Sequence, residues 1–149
     1  AERGHAGAVL DAGAGELVVS NRCLERGEAL RRRFGVRVRP VEWDERGKIL
    51  RECGLFVNAT ALGMTGQLPL EIDLTRLPGD AVVADIVYTP LRTALLEDAS
   101  RRGNVTVEGL GMLLFQAVRG FELWFGKRPA VTPELYDLVA RDIDPAYRQ

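Results

Sequence analysis

Short apolar runs alternate along the chain with longer stretches whose apolar residues recur at helical spacing. Ala6, Val9 and Leu10 share one helical face before Gly13 ends the run. Residues 16–20 are rich in β-branched side chains and predict a strand, and 23–34 predict a polar helix stopped by Gly35. The alternation repeats, with a strand at 36–41, a helix at 44–53 and a near-continuous apolar strand at 54–58, the pattern of a buried parallel strand. A loop containing Gly and Pro (60–69) and a short turn (73–79) lead to 81–87, the strongest strand pattern of all. A helix at 91–102, a strand at 105–107 and helices at 110–125 and 133–141 complete the chain, the last starting with Thr132 as N-cap and Pro133 at its first position. Such alternation predicts an α/β fold, an open, doubly wound parallel sheet with helices on both faces.

The 110–125 helix carries Leu110, Leu113, Leu114, Ala117, Val118, Phe121, Trp124 and Phe125 on one stripe, which predicts core. Met112, Gln116 and Leu123 lie on another face, so this helix is expected to contact something on a second side.

Composition narrows the class. With 149 residues, 46% hydrophobic and 28% charged, the chain has the make-up of one globular domain and is excluded from disorder. Twenty Lys and Arg against twenty-one Asp and Glu leave a net charge of −1, too little to draw the protein to nucleic acid or an anionic membrane. Any anion must be held by a local site. No apolar stretch approaches the roughly 18–20 residues of a membrane span, and the first residues lack a signal peptide's pattern, so a cytoplasmic location is expected. Cys23 and Cys53 lack metal-ligand spacing and are expected to be reduced thiols. His5, the only histidine, lies in the first helix, so no Ser-His-Asp, Cys-His or metal constellation can be assembled. The chain has no initiator Met and its first residues already read as helix, which is expected of a chain beginning inside an element.

Ligands of open α/β sheets sit at the carboxyl ends of the strands. The 16–20 strand ends in Ser20-Asn21-Arg22 with no acid for a ribose 2′-hydroxyl, while Arg22 and Arg26, four apart and hence one helical turn apart, are placed to converge on one phosphate; the alternative is that both are solvated surface arginines. Asn58-Ala59-Thr60 closes the third strand with a small-residue turn that admits a ligand to the backbone, or is simply a capped turn. Asp85, an acid inside an apolar strand, is expected to accept hydrogen bonds from loop amides, and Tyr88 beyond it is a donor to a ligand or a packing aromatic. Glu108-Gly109-Leu110-Gly111 opens the long helix, with Gln116 a little over a turn inside.

In this order the segments resemble the C-terminal, NADP-binding domain of the shikimate dehydrogenases. The motifs are Asn21-Arg22 with Arg26, Asn58-Ala59-Thr60 with Gly63-Met64, Asp85-x-x-Tyr88-x-Pro90, and Gly109-Leu110-Gly111-Met112-Leu113 with Gln116. The match covers nearly the whole chain. Cys23 stands where the family has a hydroxyl residue, Glu108 where it has Asp, and Phe115 where His is common.

The resemblance implies NADP as cofactor, with Asn21, Arg22 and Arg26 on the adenosine 2′-phosphate, Cys23 beside them, Thr60 also on the cofactor, and Ile86 and Gly109 bordering the nicotinamide. Tyr88 and Gln116 would touch shikimate. The implied activity is reversible NADPH-dependent reduction of 3-dehydroshikimate to shikimate, in chorismate and aromatic amino-acid biosynthesis. The family's catalytic Lys and Asp belong to a substrate domain outside residues 1–149, and Lys48 and Lys127 are not in that motif, so no catalytic residue and no metal is assigned. On this reading residues 1–149 are a Rossmann-like domain incomplete at its N-terminus, its sheet lacking the first strand, and inactive alone. Its partner is a small-molecule substrate, with neither nucleic acid nor membrane, and a homodimer is compatible with it. The competing readings are a quinate/shikimate dehydrogenase using NAD and a non-catalytic nucleotide-binding module.

Overall fold

Strands this short form where β-branched and apolar residues cluster between breakers. Five are present among the described residues: β1 (Leu17–Ser20), β2 (Val38–Val41), β3 (Leu55–Asn58), β4 (Val82–Asp85) and β5 (Val105–Val107). The structure, a computed structural model, describes residues 2–147. These form two compact units, one running to Glu52 and including Ile72–Leu77, the other comprising Cys53–Glu71 and the chain from Pro78 onward.

In the first unit β1 and β2 pair in parallel, Leu17 opposite Val38 and Ser20 opposite Val41. A parallel pair needs a crossover, and α2 (Leu24–Phe34) supplies it. Its Leu30 meets Val38 and the Ala6 and Leu10 side chains of α1 (Glu2–Asp11), with Leu17, Val19 and Phe34 around them. Gly27 is the close point: a Cβ there would sit 3.0 Å from the Pro40 Cβ, so the missing side chain lets α2 lie directly over β2. Arg37 donates to the Leu10 carbonyl (3.2 Å), placing a cation at the C-terminal turn of α1.

The helix expected at 44–53 is instead two 3-10 turns, Trp43–Glu45 and Lys48–Glu52. Gly47 falls between them, where it disfavours helix. Arg46 secures the first turn by donating to the Trp43 carbonyl (2.6 Å) while lying over the indole at 4.3 Å. The second packs on a further 3-10 turn, Leu74–Arg76, with Leu50 and Leu74 buried.

In the second unit the order is β3-β4-β5, all parallel, with Leu55, Val82 and Val105 in one row and Asn58 opposite Asp85. The β4–β5 crossover is α3 (Ala94–Arg101), which buries Leu95, Leu96 and Ala99. Asn104, buried before β5, donates to the carbonyls of Pro78 (2.8 Å) and Ala81 (2.9 Å) and so ties the two strand starts together. The end of β4 and the start of α3 differ from expectation. β4 stops at Asp85 because the carboxylate takes the amide of Val87 and draws the chain out of the ladder. α3 starts at Ala94 because Thr93 caps it, accepting from the Leu96 amide.

The fold is thus Rossmann-like α/β with every strand pair parallel, as the alternation predicts. Among the described residues β1 pairs with β2 alone and β3 with β4 alone. No helix of the described residues is long and apolar enough to cross a membrane.

The long helix α4 (Gly109–Phe125) packs on α5 (Pro133–Ile143) through Leu110, Leu91 and Ala140, with Leu113, Leu114, Tyr136, Val139 and Ile143 around them. The core reading of its stripe holds only this far. Ala117 is already exposed, and beyond Val118 the same stripe is open, with Phe121 43%, Trp124 81% and Phe125 63% exposed, because α5 covers only the first half of the helix. Leu123, on the second face, is 66% exposed. The two halves of the stripe should therefore respond differently to truncation. Leu110→Ala should cost about 2–5 kcal/mol in urea unfolding, and Trp124→Ala should stay within about 0.5 kcal/mol of wild type. Equal losses would contradict this division.

Candidate functional site

The first unit gathers Asn21, Arg22, Cys23 and Arg26 where β1 hands over to α2. Ser20 donates to the Glu42 carbonyl (3.3 Å), tying the end of β1 to the chain after β2. Asn21 then accepts from the Cys23 amide (2.9 Å), an Asx turn that starts the helix. Cys23 occupies the N-cap position with no side-chain cap bond, and its thiol is exposed. Since α2 begins at Leu24, Arg22 lies in the extended lead-in and only Arg26 stands on the helix. The expected one-turn spacing of the two is therefore not the geometry found. Both guanidinium groups are exposed, and neither has an ion-pair or hydrogen-bond partner among the described residues. That makes them fit an external anion at a helix start, where main-chain amides also point outward.

The second unit builds its strand ends around Asn58 and Asp85, each 2% exposed and opposite one another on β3 and β4. The Asn58 amide nitrogen donates to Asp85 Oδ1 (3.0 Å) and to the Leu62 carbonyl (3.0 Å). The Asn58 amide oxygen accepts from the Thr60 amide (3.1 Å) and hydroxyl (2.8 Å). Asp85 Oδ1 also accepts from the Val87 amide (3.0 Å), and Oδ2 accepts from the Thr93 hydroxyl (2.7 Å). The expectation that Asp85 serves as an acceptor for loop amides is met at Val87. Burial pushes its carboxyl above the ordinary value of 3.8, while the bonds from Thr93, Val87 and Asn58 pull the other way.

The segment after β4 is held on several sides. Ile86 donates its amide to the Asn58 carbonyl (3.0 Å), and the Thr65 amide donates to the Thr89 carbonyl (2.8 Å). Gly109, buried at the start of α4, lies against the carbonyls of Ile86 and Val87 so closely that any Cβ would overlap them. The structure thus brings Thr60, Ile86, Tyr88 and Gly109 onto one connected framework, with Tyr88 37% exposed. Among the described residues Gln116 makes no hydrogen bond to this framework. It is exposed on α4 and lines an apolar groove of about 480 Å³ with Leu114, Phe121, Trp124, Pro129 and Leu135.

Two participants escape sequence reasoning. Thr93 falls inside the expected 91–102 helix, although a Thr followed by an apolar run is an N-cap pattern. Tyr136 donates its hydroxyl to Glu108 (3.0 Å), linking α5 to the start of α4, and burial raises the phenol's pKa well above 10.0. Nothing short of the fold relates residues 28 positions apart.

Comparison with known proteins places this arrangement. The family model described as "Shikimate 5'-dehydrogenase C-terminal domain" matches residues 109–133. The shikimate dehydrogenase (NADP(+)) of Rhodopseudomonas palustris is 56% identical over 137 residues, covering 92% of this chain and 49% of the relative. Over nine-tenths of its length the chain is similar to shikimate dehydrogenases. The corresponding protein of Dinoroseobacter shibae is 55% identical over 135 residues, 91% of this chain and 49% of its own length. Among solved structures, the shikimate 5-dehydrogenase of Thermus thermophilus in complex with NADP(H) and shikimate superposes with a TM-score of 0.75 at 33% identity, over 93% of this chain and 49% of that one. The quinate dehydrogenase of Corynebacterium glutamicum in complex with NAD gives 0.80 at 27% identity, over 97% and 51%. The chain spans about half the length of the curated relatives it matches.

Two outcomes follow from the buried centre. Gly109→Ala should lower the urea midpoint by the equivalent of about 1–3 kcal/mol, the cost of forcing a side chain into packed backbone; an unchanged midpoint would contradict the close approach. Asp85 binds its proton more tightly folded than unfolded, so its contribution to stability is largest at acid pH and declines as pH rises above 3.8. Urea midpoints measured at successive pH values should move in favour of Asp85→Asn over wild type as pH rises through that window. A difference independent of pH would remove the buried carboxylate from the account.

Proposed function

We propose that the protein to which this chain belongs catalyses the reversible NADPH-dependent reduction of 3-dehydroshikimate to shikimate, and that these residues are its cofactor-binding domain. The carrying observation is the end of β1, where no carboxylate closes the strand and two guanidinium groups at the start of α2 have no partner among the described residues. A ribose 2′-hydroxyl calls for an acid at this place, whereas a 2′-phosphate calls for arginine. The roughly 55% identity to proteins named for NADP(+) supports the same assignment.

On this reading Asn21, Arg22 and Arg26 bind the adenosine 2′-phosphate, with Cys23 beside them. Thr60 contacts the cofactor. Ile86, half-buried after β4, and Gly109, at the start of α4 packed on the Ile86 carbonyl, border the nicotinamide. When bound, NADPH supplies the hydride. Tyr88, exposed past the end of β4, orients the substrate through its hydroxyl, and Gln116, exposed on α4, does so through its amide. No group among these residues is assigned the proton transfer, which falls to the Lys and Asp of the companion half, so the 149 residues alone should not oxidise shikimate. A cytoplasmic location suits a chain with no membrane-crossing helix among its described residues.

The superposition on a quinate dehydrogenase holding NAD favours a second reading, in which the cofactor lacks the 2′-phosphate. Calorimetric titration of the chain separates the two. NADPH should bind more tightly than NADH, and Arg22→Ala or Arg26→Ala should each weaken NADPH about ten- to a hundredfold, the loss of one charge-assisted contact, with NADH unaffected. Equal affinity for both dinucleotides would overturn the NADP assignment.

A further inference from the structure

Asp85 is buried with no cation against it among the described residues, and its charge is met by donors from three separate segments. An apolar residue of similar size would fill the space at less cost in desolvation, so the carboxylate is better understood by what it arranges. Its lone pairs only accept. The neighbouring Asn58 amide must therefore turn its nitrogen toward Asp85, which leaves its oxygen facing Thr60, where both the Thr60 amide and hydroxyl donate to it. Reversed, the amide would set oxygen against carboxylate and nitrogen against two donors. The same carboxylate holds the Val87 amide, between Ile86 and Tyr88, and the Thr93 hydroxyl that caps α3.

We propose that Asp85 is a positioning residue that fixes the orientation of the Asn58 amide, and through it Thr60, while setting the Ile86–Tyr88 segment by its bond to Val87. The link to cofactor and substrate rests on the function proposed above; the ordering of the loops does not.

Amide hydrogen exchange on the unliganded chain tests the ordering. Asp85→Asn keeps the shape but frees the Asn58 amide to turn, and should speed exchange at Thr60, Leu62 and Val87 about tenfold, with Leu113 and Val139 in the α4–α5 cluster unchanged. Should that variant not fold, Thr93→Val and Thr93→Ser carry the test. Valine should loosen Thr60 and Val87 along with Leu96, and serine, which keeps the hydroxyl, should restore all three. Uniform acceleration across the unit, or loosening confined to Leu96, would overturn the proposal. NADPH titration of the same variants provides a second readout, with binding weakened about tenfold by valine and retained by serine. Absence of NADPH binding to the wild-type chain would instead count against the proposed function, leaving the exchange result to decide the role of Asp85.

Discussion

A carboxylate enclosed between parallel strands without a cation survives only if donors surround it, because an unanswered buried charge costs more than a fold of this size can spare. Asp85 meets that condition, and the local architecture follows from how it does so. Its bond to Val87 ends β4 and its bond from Thr93 places the cap of α3. Its bond from Asn58 connects β4 to the turn after β3. Ligand-facing loops at strand ends are usually the least ordered parts of an α/β fold. Here the loops at Thr60 and Ile86 are pinned from within the sheet.

The backbone adds a second constraint. With Gly109 pressed on the carbonyls of Ile86 and Val87, the start of α4 cannot shift without moving the segment after β4. Glu108 and Tyr136 extend that connection to α5, so the C-terminal helices and the strand ends share one framework. In the first unit the corresponding device is local, an Asx turn at Asn21 that starts α2 and leaves Arg22 and Arg26 facing outward.

Strand and helix order was legible because burial on both faces leaves apolar runs, and because Gly35, Thr132 and Pro133 punctuate the helices where local chemistry demands. The 44–53 stretch differs because Gly47 interrupts its helical spacing, and Arg46, bonded to the Trp43 carbonyl and lying over its indole, stabilises the tighter turn. The stripe on α4 records an apolar face without saying what covers it, so Leu110 is core while Trp124 is open. Of the site, the motif positions were readable one by one. Their connection was not, since the bonds joining Asn58 to Asp85 and Asp85 to Thr93 arise only once the β3–β4 register is set.

The central claim is that the strand-end loops are ordered before any ligand arrives. Backbone order parameters of the unliganded chain test it most directly. Residues Thr60, Leu62, Ile86 and Val87 should match the strands, near the rigid value of about 0.85, and values below about 0.6 at these positions would contradict the account.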